Sequence, residues 1–248
     1  MDNFKYIDVQ FLDKVYPIKE LSFIEFKNFL KKIYGSADII LTFNELIDHC
    51  FKGNFKLNYV ERILILLNIR GFIFGNEVTF IQNDINLDVN IQLIIDSFNV
   101  KSKSIEYAIG ENIYTFDYIY GSDIPVDKLQ LISDSLVKIN DIDVTNIVDK
   151  TELIPACNFN ELFDLIYDNF YSKNFYIEKI DYDINYSSIY TFLENIYKSD
   201  LMNLYEMEFK LRNILNFNTY DLENMSLPEC KIFMNLYIKE QKDREENN

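Results

Sequence analysis

The stretch that most constrains the fold is "NYVERILILLNIRGFIFG", residues 58–75, the most apolar part of the chain. Its uninterrupted apolar run covers only residues 63–67, whereas a membrane-spanning helix needs about 20 largely apolar residues. We therefore predict a buried helix that packs on two sides, not a membrane segment. Asn58 and Glu61 have the spacing of an N-cap residue and its reciprocal acidic partner, and Gly71 is the expected end.

The chain is acidic, and its charge is unevenly distributed. Residues 1–75 contain 10 basic and 9 acidic residues, whereas residues 76–248 contain 14 and 31, within a net charge of -16. Because nucleic-acid affinity comes chiefly from Lys and Arg that neutralise phosphates, we expect no nucleic-acid partner. Solubility, an acidic docking face and DNA mimicry remain open as explanations of the acidity.

Cysteine and glycine usage give no sign of a metal, a disulfide framework or a cofactor. Cys50, Cys157 and Cys230 are far apart and lack zinc-site spacing. With 6 Gly in the chain, no phosphate-binding loop is present, so we expect no cofactor. No positively charged apolar segment opens the sequence, which favours a reducing cytoplasm and no membrane association.

Helix starts recur near the N-terminus, and the pattern changes in the middle of the chain. Capping boxes are predicted at Ser22 with Glu25, and at Thr42 with Glu45. Further on, "NEVTFIQND" predicts a strand, "NIQLIIDSF" a short helix or strand, and "SIEYAIGENIYTFDYIY" a hairpin that turns near Gly110.

From Asn158 onward the pattern is mainly helical. We therefore expect the α+β class, with a helical N-terminal part, a central part that contains a β-hairpin, and a helical C-terminal part. The expected division is a helical and β-containing core domain over 1–157 and a helical domain over 158–248.

Candidate catalysts are few. His49 is the single histidine, and it precedes Cys50 in a predicted helix. Consecutive helical side chains point about 100° apart, so these neighbours cannot form a Cys–His dyad, and a structural role is expected. We predict that the chain is not an enzyme. A catalytic carboxylate pair stays open as the alternative, because sequence spacing does not reveal which acids meet in space.

Residues 141–152 resemble a twelve-residue calcium loop in their oxygen-bearing side chains. The matching positions are Asp141, Asp143, Thr145, Asp149 and Glu152. Asn146 replaces the usual glycine of the sharp turn, and Pro155 interrupts the helix that should follow. We therefore predict no specific calcium affinity and no metal site.

The order of the N-terminal motifs resembles the baseplate hub subunit and hub assembly protein family of T-even-type contractile-tailed bacteriophages. The likeness is strongest over residues 15–100. It is carried by Glu61, Arg62, the apolar run 63–67, Arg70 and Gly75, with Val78 and Phe80 in the following strand. The "MSLPE" opening of the last helix is also common in phage tail assembly proteins.

This resemblance implies a non-enzymatic baseplate protein, structural or assembly-related, that acts through protein–protein contacts. Its partners would be other phage baseplate or tail proteins, in a homo- or hetero-oligomer, located in the host cytoplasm during assembly or in the virion tail baseplate. Arg62 and Arg70 would then hold acidic or carbonyl groups of the same chain or of a neighbour. The alternative is an acidic viral protein that binds and inhibits a host nucleic-acid enzyme.

The last predicted helix, "PECKIFMNLYIKEQKDREENN", is the second candidate for partner contact. Ile232, Phe233, Leu236 and Tyr237 stand at helical spacing before a tail of alternating charge. Such a stripe either packs on the protein's own core or binds another chain, and the sequence leaves both interpretations open.

Overall fold

The computed structural model describes residues 6–51, 56–82, 85–98, 102–121, 127–147, 150–172, 174–177, 180–183, 188–198 and 201–246. These residues form α-helices and β-strands. The helices are α1 (Phe23–Gly35), α2 (Ile39–Cys50), α3 (Tyr59–Phe74), α4 (Ile91–Phe98), α5 (Lys128–Ser135), α6 (Phe159–Phe170), α7 (Ser188–Lys198), α8 (Leu201–Asn213), α9 (Thr219–Asn224) and α10 (Leu227–Glu246).

The strands all pair in antiparallel fashion. They are β1 (Tyr6–Phe11), β2 (Lys14–Lys19), β3 (Glu77–Gln82), β4 (Ile85–Asn90), β5 (Ser104–Ile109), β6 (Asn112–Asp117), β7 (Leu136–Ile139), β8 (Ile142–Asp143), β9 (Asn174–Ile177) and β10 (Ile180–Asp183). One four-stranded sheet has the order β5-β6-β7-β8, and the other strands form the hairpins β1–β2, β3–β4 and β9–β10.

The α+β class is confirmed, with helices toward both ends and small antiparallel sheets between them. The hairpin at Gly110 is confirmed as β5–β6, and "NIQLIIDSF" forms helix α4. Hairpins β1–β2 and β9–β10, which the sequence pattern did not predict, precede the first helices and interrupt the C-terminal ones. The division between residues 157 and 158 stays a prediction, and α5 packs on α6 and α1 on α7 across it.

Helix α3 is the central element of the core, as predicted for a buried helix. It packs against α2, α4, α7, α10 and β1, and Ile63 to Leu67 are each at most 1% exposed. Its start at Asn58 is confirmed by a complete capping box with Glu61. The predicted end at Gly71 is wrong. The helix continues through buried Ile73 to Phe74, and its C-cap is Gly75, whose φ of 89° suits glycine.

The other N-terminal helix starts give a mixed result. The capping box of Ser22 and Glu25 opens α1 as predicted. The predicted start of α2 at Thr42 is wrong, because Asp38 accepts from the Leu41 N–H and begins the helix one turn earlier. Thr42 lies inside α2, and its hydroxyl donates to the Asp38 carbonyl at 3.0 Å.

A buried polar cluster surrounds the first turn of α3. The fully buried Glu61 carboxylate accepts hydrogen bonds from the Tyr16 hydroxyl at 3.0 Å, the Asn58 N–H at 2.7 Å and the Gly121 N–H at 3.2 Å. Gly121 has a φ of 70°, and a Cβ there would lie 2.5 Å from the Lys56 carbonyl oxygen. The cluster therefore joins α3 to β2 and to the segment after β6, at a position that requires glycine.

Burial in this cluster disfavours the charged form of Glu61. Burial raises the pKa of its carboxyl group above the ordinary value, although the Asn58, Tyr16 and Gly121 donors favour the ionised form. These three hydrogen bonds offset part of the cost of burying the carboxylate.

The position of α3 predicts the effect of a charge in its centre. Leu66 is 0% exposed, so Leu66→Asp buries an unpaired carboxylate and should lower the free energy of unfolding by more than about 4 kcal/mol. The matched control is Leu93→Asp on α4, where the leucine is 69% exposed and the expected loss is below about 1 kcal/mol. Urea unfolding followed by circular dichroism measures both. A cooperatively folding Leu66→Asp protein would contradict the placement of α3.

The raised pKa of Glu61 predicts a pH dependence of stability. The folded protein keeps this proton at pH values where the unfolded carboxyl, with a pKa of about 4.3, has lost it. The free energy of unfolding should therefore fall as pH rises from that value through the raised pKa, and then stay level. In Glu61→Gln this contribution is absent, since the amide does not titrate.

The measurement is urea unfolding across this pH range for wild type, Glu61→Gln and a control, Glu106→Gln, whose glutamate is exposed on β5. The stability of wild type relative to Glu61→Gln should decrease with rising pH. A relative stability that increases with pH would show that the pKa of Glu61 is lowered.

Candidate protein-docking site

The C-terminal helix α10 begins at a defined point on the protein body. Ser226 and Glu229 cap it: the Ser226 N–H donates to the Glu229 carboxylate at 2.9 Å, and the Glu229 N–H donates to Ser226 Oγ at 3.4 Å. The Phe23 N–H at the start of α1 donates to the Met225 carbonyl at 3.0 Å. The starts of α1 and α10 are therefore held together.

One face of α10 packs onto the core. Leu227, Cys230 and Met234 are each at most 7% exposed. Lys231 Nζ donates to the Ile73 carbonyl, near the C-terminal end of α3, at 2.9 Å. Since α3 is itself central to the core, these contacts fix the direction in which α10 runs.

The opposite face of α10 presents apolar side chains to solvent. Ile232, Phe233 and Leu236 are 57%, 43% and 60% exposed, and we call these residues the α10 stripe. Tyr237, predicted with them, is half-buried at the edge. The Phe233 ring meets the Phe217 ring edge to face, with centroids 5.3 Å apart. Single exposed apolar residues are ordinary, but a contiguous group on a helix is typical of an interaction site.

Helix α8 has an outward apolar face of its own. Met202, Tyr205 and Phe209 are 69%, 42% and 65% exposed. Their spacing of three and four residues is the signal in the sequence that could have identified this face. A groove of about 330 Å³ lies between α8 and α10, and its α10 side includes Met234 and Ile238. By helical periodicity the α10 stripe points away from this groove.

The two predicted partner-contact arginines hold groups of their own chain. Arg62 donates through Nε to the Leu57 carbonyl at 3.0 Å and through Nη1 to Asn44 Oδ1 at 2.8 Å. Arg70 is 2% exposed, and its Nη1 donates to the Gly75 carbonyl at 3.1 Å. These acceptors are carbonyl and amide oxygens of the same chain, and contact of either arginine with another chain stays a prediction.

The single histidine lines a groove of about 270 Å³ between α1 and α2. His49 Nε2 lies 3.0 Å from Glu25 Oε1, and Lys19 Nζ lies 3.6 Å from the same oxygen. Burial raises the pKa of Glu25, but the Ser22 N–H, His49 and Lys19 together bring it below its ordinary value. The histidine therefore joins α2 to the first turn of α1.

The neighbouring thiol does not supply a nucleophile. Cys50 is 0% exposed, and burial raises the pKa of its thiol to about 12. Burial likewise raises the pKa of the Cys230 thiol to about 12. Both thiols stay protonated at neutral pH, whereas nucleophilic cysteines react as thiolates.

The first residues of the segment considered for calcium lie in a hairpin turn. Asn140 and Asp141, with φ values of 49° and 65°, connect β7 to β8. The Asp143 carboxylate accepts from the backbone N–H of Thr145 at 2.8 Å and from its hydroxyl at 2.6 Å. Asp149 lies outside the described residues. In the described part of the chain, no three His, Cys, Asp or Glu side chains are grouped to hold a metal ion.

Comparison of the chain with models of protein families, with curated proteins and with solved structures gives no match. The baseplate resemblance therefore stays a prediction. Within the described residues, no helix has both the length and the apolar character needed to cross a membrane.

The same kind of substitution should lower the free energy of unfolding much more on the buried face of α10 than on its exposed face. Met234→Ser removes a buried side chain and should lower the free energy of unfolding by about 2–5 kcal/mol. Leu236→Ser, two residues away on the exposed stripe, should change it by less than about 1 kcal/mol. Urea unfolding of both variants measures the difference. Equal losses would mean that Leu236 is covered by the protein's own core.

Proposed function

We propose that this chain is a non-enzymatic component of the phage baseplate hub, structural or assembly-related, that acts through protein–protein contacts. The observation that carries this proposal is the α10 stripe, an exposed apolar surface on a helix whose other face is anchored in the core. We propose the baseplate hub as the assembly because residues 15–100 resemble baseplate hub proteins.

The energetics favour this surface for binding. Full burial of an exposed Ile, Phe or Leu side chain contributes about 1.5–3 kcal/mol. The side chains of the α10 stripe are about half exposed. Their burial by a partner therefore contributes a corresponding part of that free energy. Because α10 is already folded and attached to α3, little conformational entropy is lost when it binds.

Two side chains that could serve as catalysts, Glu61 and His49, have structural contacts, which supports a non-enzymatic role. Glu61 is enclosed by its donors at the start of α3, and His49 is engaged with Glu25. The net charge of -16 opposes non-specific association and binding to nucleic acid. Such a protein fits the host cytoplasm during tail assembly, and afterwards either leaves or remains in the virion baseplate.

The test is recovery of the tagged chain from infected cells. Baseplates and baseplate intermediates are isolated, and the chain is quantified in each by mass spectrometry. We expect Ile232→Ser/Leu236→Ser to reduce recovery by about tenfold or more, as for central contacts of an interface.

The matched control is Leu93→Ser/Leu129→Ser, which makes the same change at leucines that are 69% and 41% exposed on α4 and α5. This control should be recovered like wild type. Absence of the wild-type chain from both baseplates and intermediates would refute the proposed function. Equal recovery of the Ile232→Ser/Leu236→Ser variant would show that the docking surface lies elsewhere.

A further inference from the structure

Carboxylates lie at both ends of the α10 stripe, on the same side of the helix. Glu229 precedes Phe233 by four residues, Glu240 follows Leu236 by four, and Asp243 follows three residues later. All three acidic residues are exposed. Spacing that alternates between four and three residues is the spacing of a seam along which a second helix packs.

We propose that the α10 stripe receives an amphipathic helix of another protein, whose apolar residues are flanked by Lys or Arg that meet these carboxylates. This inference rests on the proposed docking function and specifies the chemistry of the partner. The apolar centre supplies the burial, and the basic residues pair with Glu229 at one end and with Glu240 and Asp243 at the other.

Charge disfavours a second copy of this chain as the occupant of the α10 stripe. A parallel copy would place Glu229 against Glu229 and Glu240 against Glu240. An antiparallel copy centred on the stripe would place Glu229 near Glu240. Either arrangement brings carboxylates together, which is unfavourable at an interface. Arg244, 2.6 Å from Glu240, offsets part of this repulsion.

The course of α10 also favours a helical partner. The helix has 20 residues and is therefore about 30 Å long. From Lys239 to Arg244 its residues are exposed, apart from the half-buried Gln241, so these turns have little contact with the protein's own core. The groove between α8 and α10 lies on the other side of the helix. A second helix can therefore lie along the stripe and continue to Asp243.

Two synthetic helical peptides of about 21 residues, or three heptads, test this inference. Both have Leu at the seam positions that face the α10 stripe. One has Lys, and the other Glu, at the positions that face Glu229, Glu240 and Asp243. Fluorescence anisotropy with the full-length protein should show that the Lys peptide binds at least about tenfold more tightly than the Glu peptide. Binding of the Lys peptide should be lost in Ile232→Ser/Leu236→Ser.

A charge exchange provides the decisive comparison. Glu240→Lys/Asp243→Lys should reverse the preference toward the Glu peptide, while Glu229 is left in place because it caps α10. The control Glu106→Lys/Glu111→Lys makes the same change in net charge at exposed positions of the β5–β6 hairpin. This control should keep the preference of wild type.

Equal affinity for the two peptides, binding of neither, or a reversed preference in the control would overturn the inference. Dimerisation of the free protein through the α10 stripe, measured by sedimentation and abolished by Ile232→Ser/Leu236→Ser, would overturn it in favour of a second copy. If the peptide experiments fail while the chain is still recovered in baseplates through the α10 stripe, the proposed docking function stands. Only the inferred chemistry of the partner is then wrong.

Discussion

The buried carboxylate of Glu61 is the interaction on which the rest of the structure depends. It caps the first turn of α3 through Asn58, and it accepts from Tyr16 on β2 and from Gly121 after β6. A buried charge is tolerated only where hydrogen bonds replace its water, and here three donors from separate parts of the chain do so. The cluster thus positions α3, against which α2, α4, α7 and α10 pack.

The position of α3 in turn determines how α10 is presented. Lys231 reaches the Ile73 carbonyl near the end of α3, and the Met225 carbonyl meets the Phe23 N–H at the start of α1. With these contacts made, one face of α10 is enclosed and the α10 stripe is left in solvent. The proposed docking function therefore depends on a surface that the core holds in a fixed direction, which reduces the entropy lost on binding.

Much of the local structure could be predicted from the sequence, because it depends on residues close together in the chain. The helix starts at Ser22, Asn58 and Ser226 each have a glutamate three positions later, and all three capping pairs are present in the structure. The hairpin at Gly110 and the burial of α3 followed from the same kind of short-range pattern. The wrong start at Thr42 arose because Asp38 offered a competing cap one turn earlier.

The sequence by itself determined that α3 is buried and that α10 is a helix with an apolar stripe. Only the tertiary structure decided which apolar residues of α10 are covered. Met234 and Leu236 are both suited to a core, yet Met234 is 7% exposed and Leu236 is 60% exposed. The physical reason is that coverage depends on where α1 and α3 lie, and these helices are more than a hundred residues away along the chain.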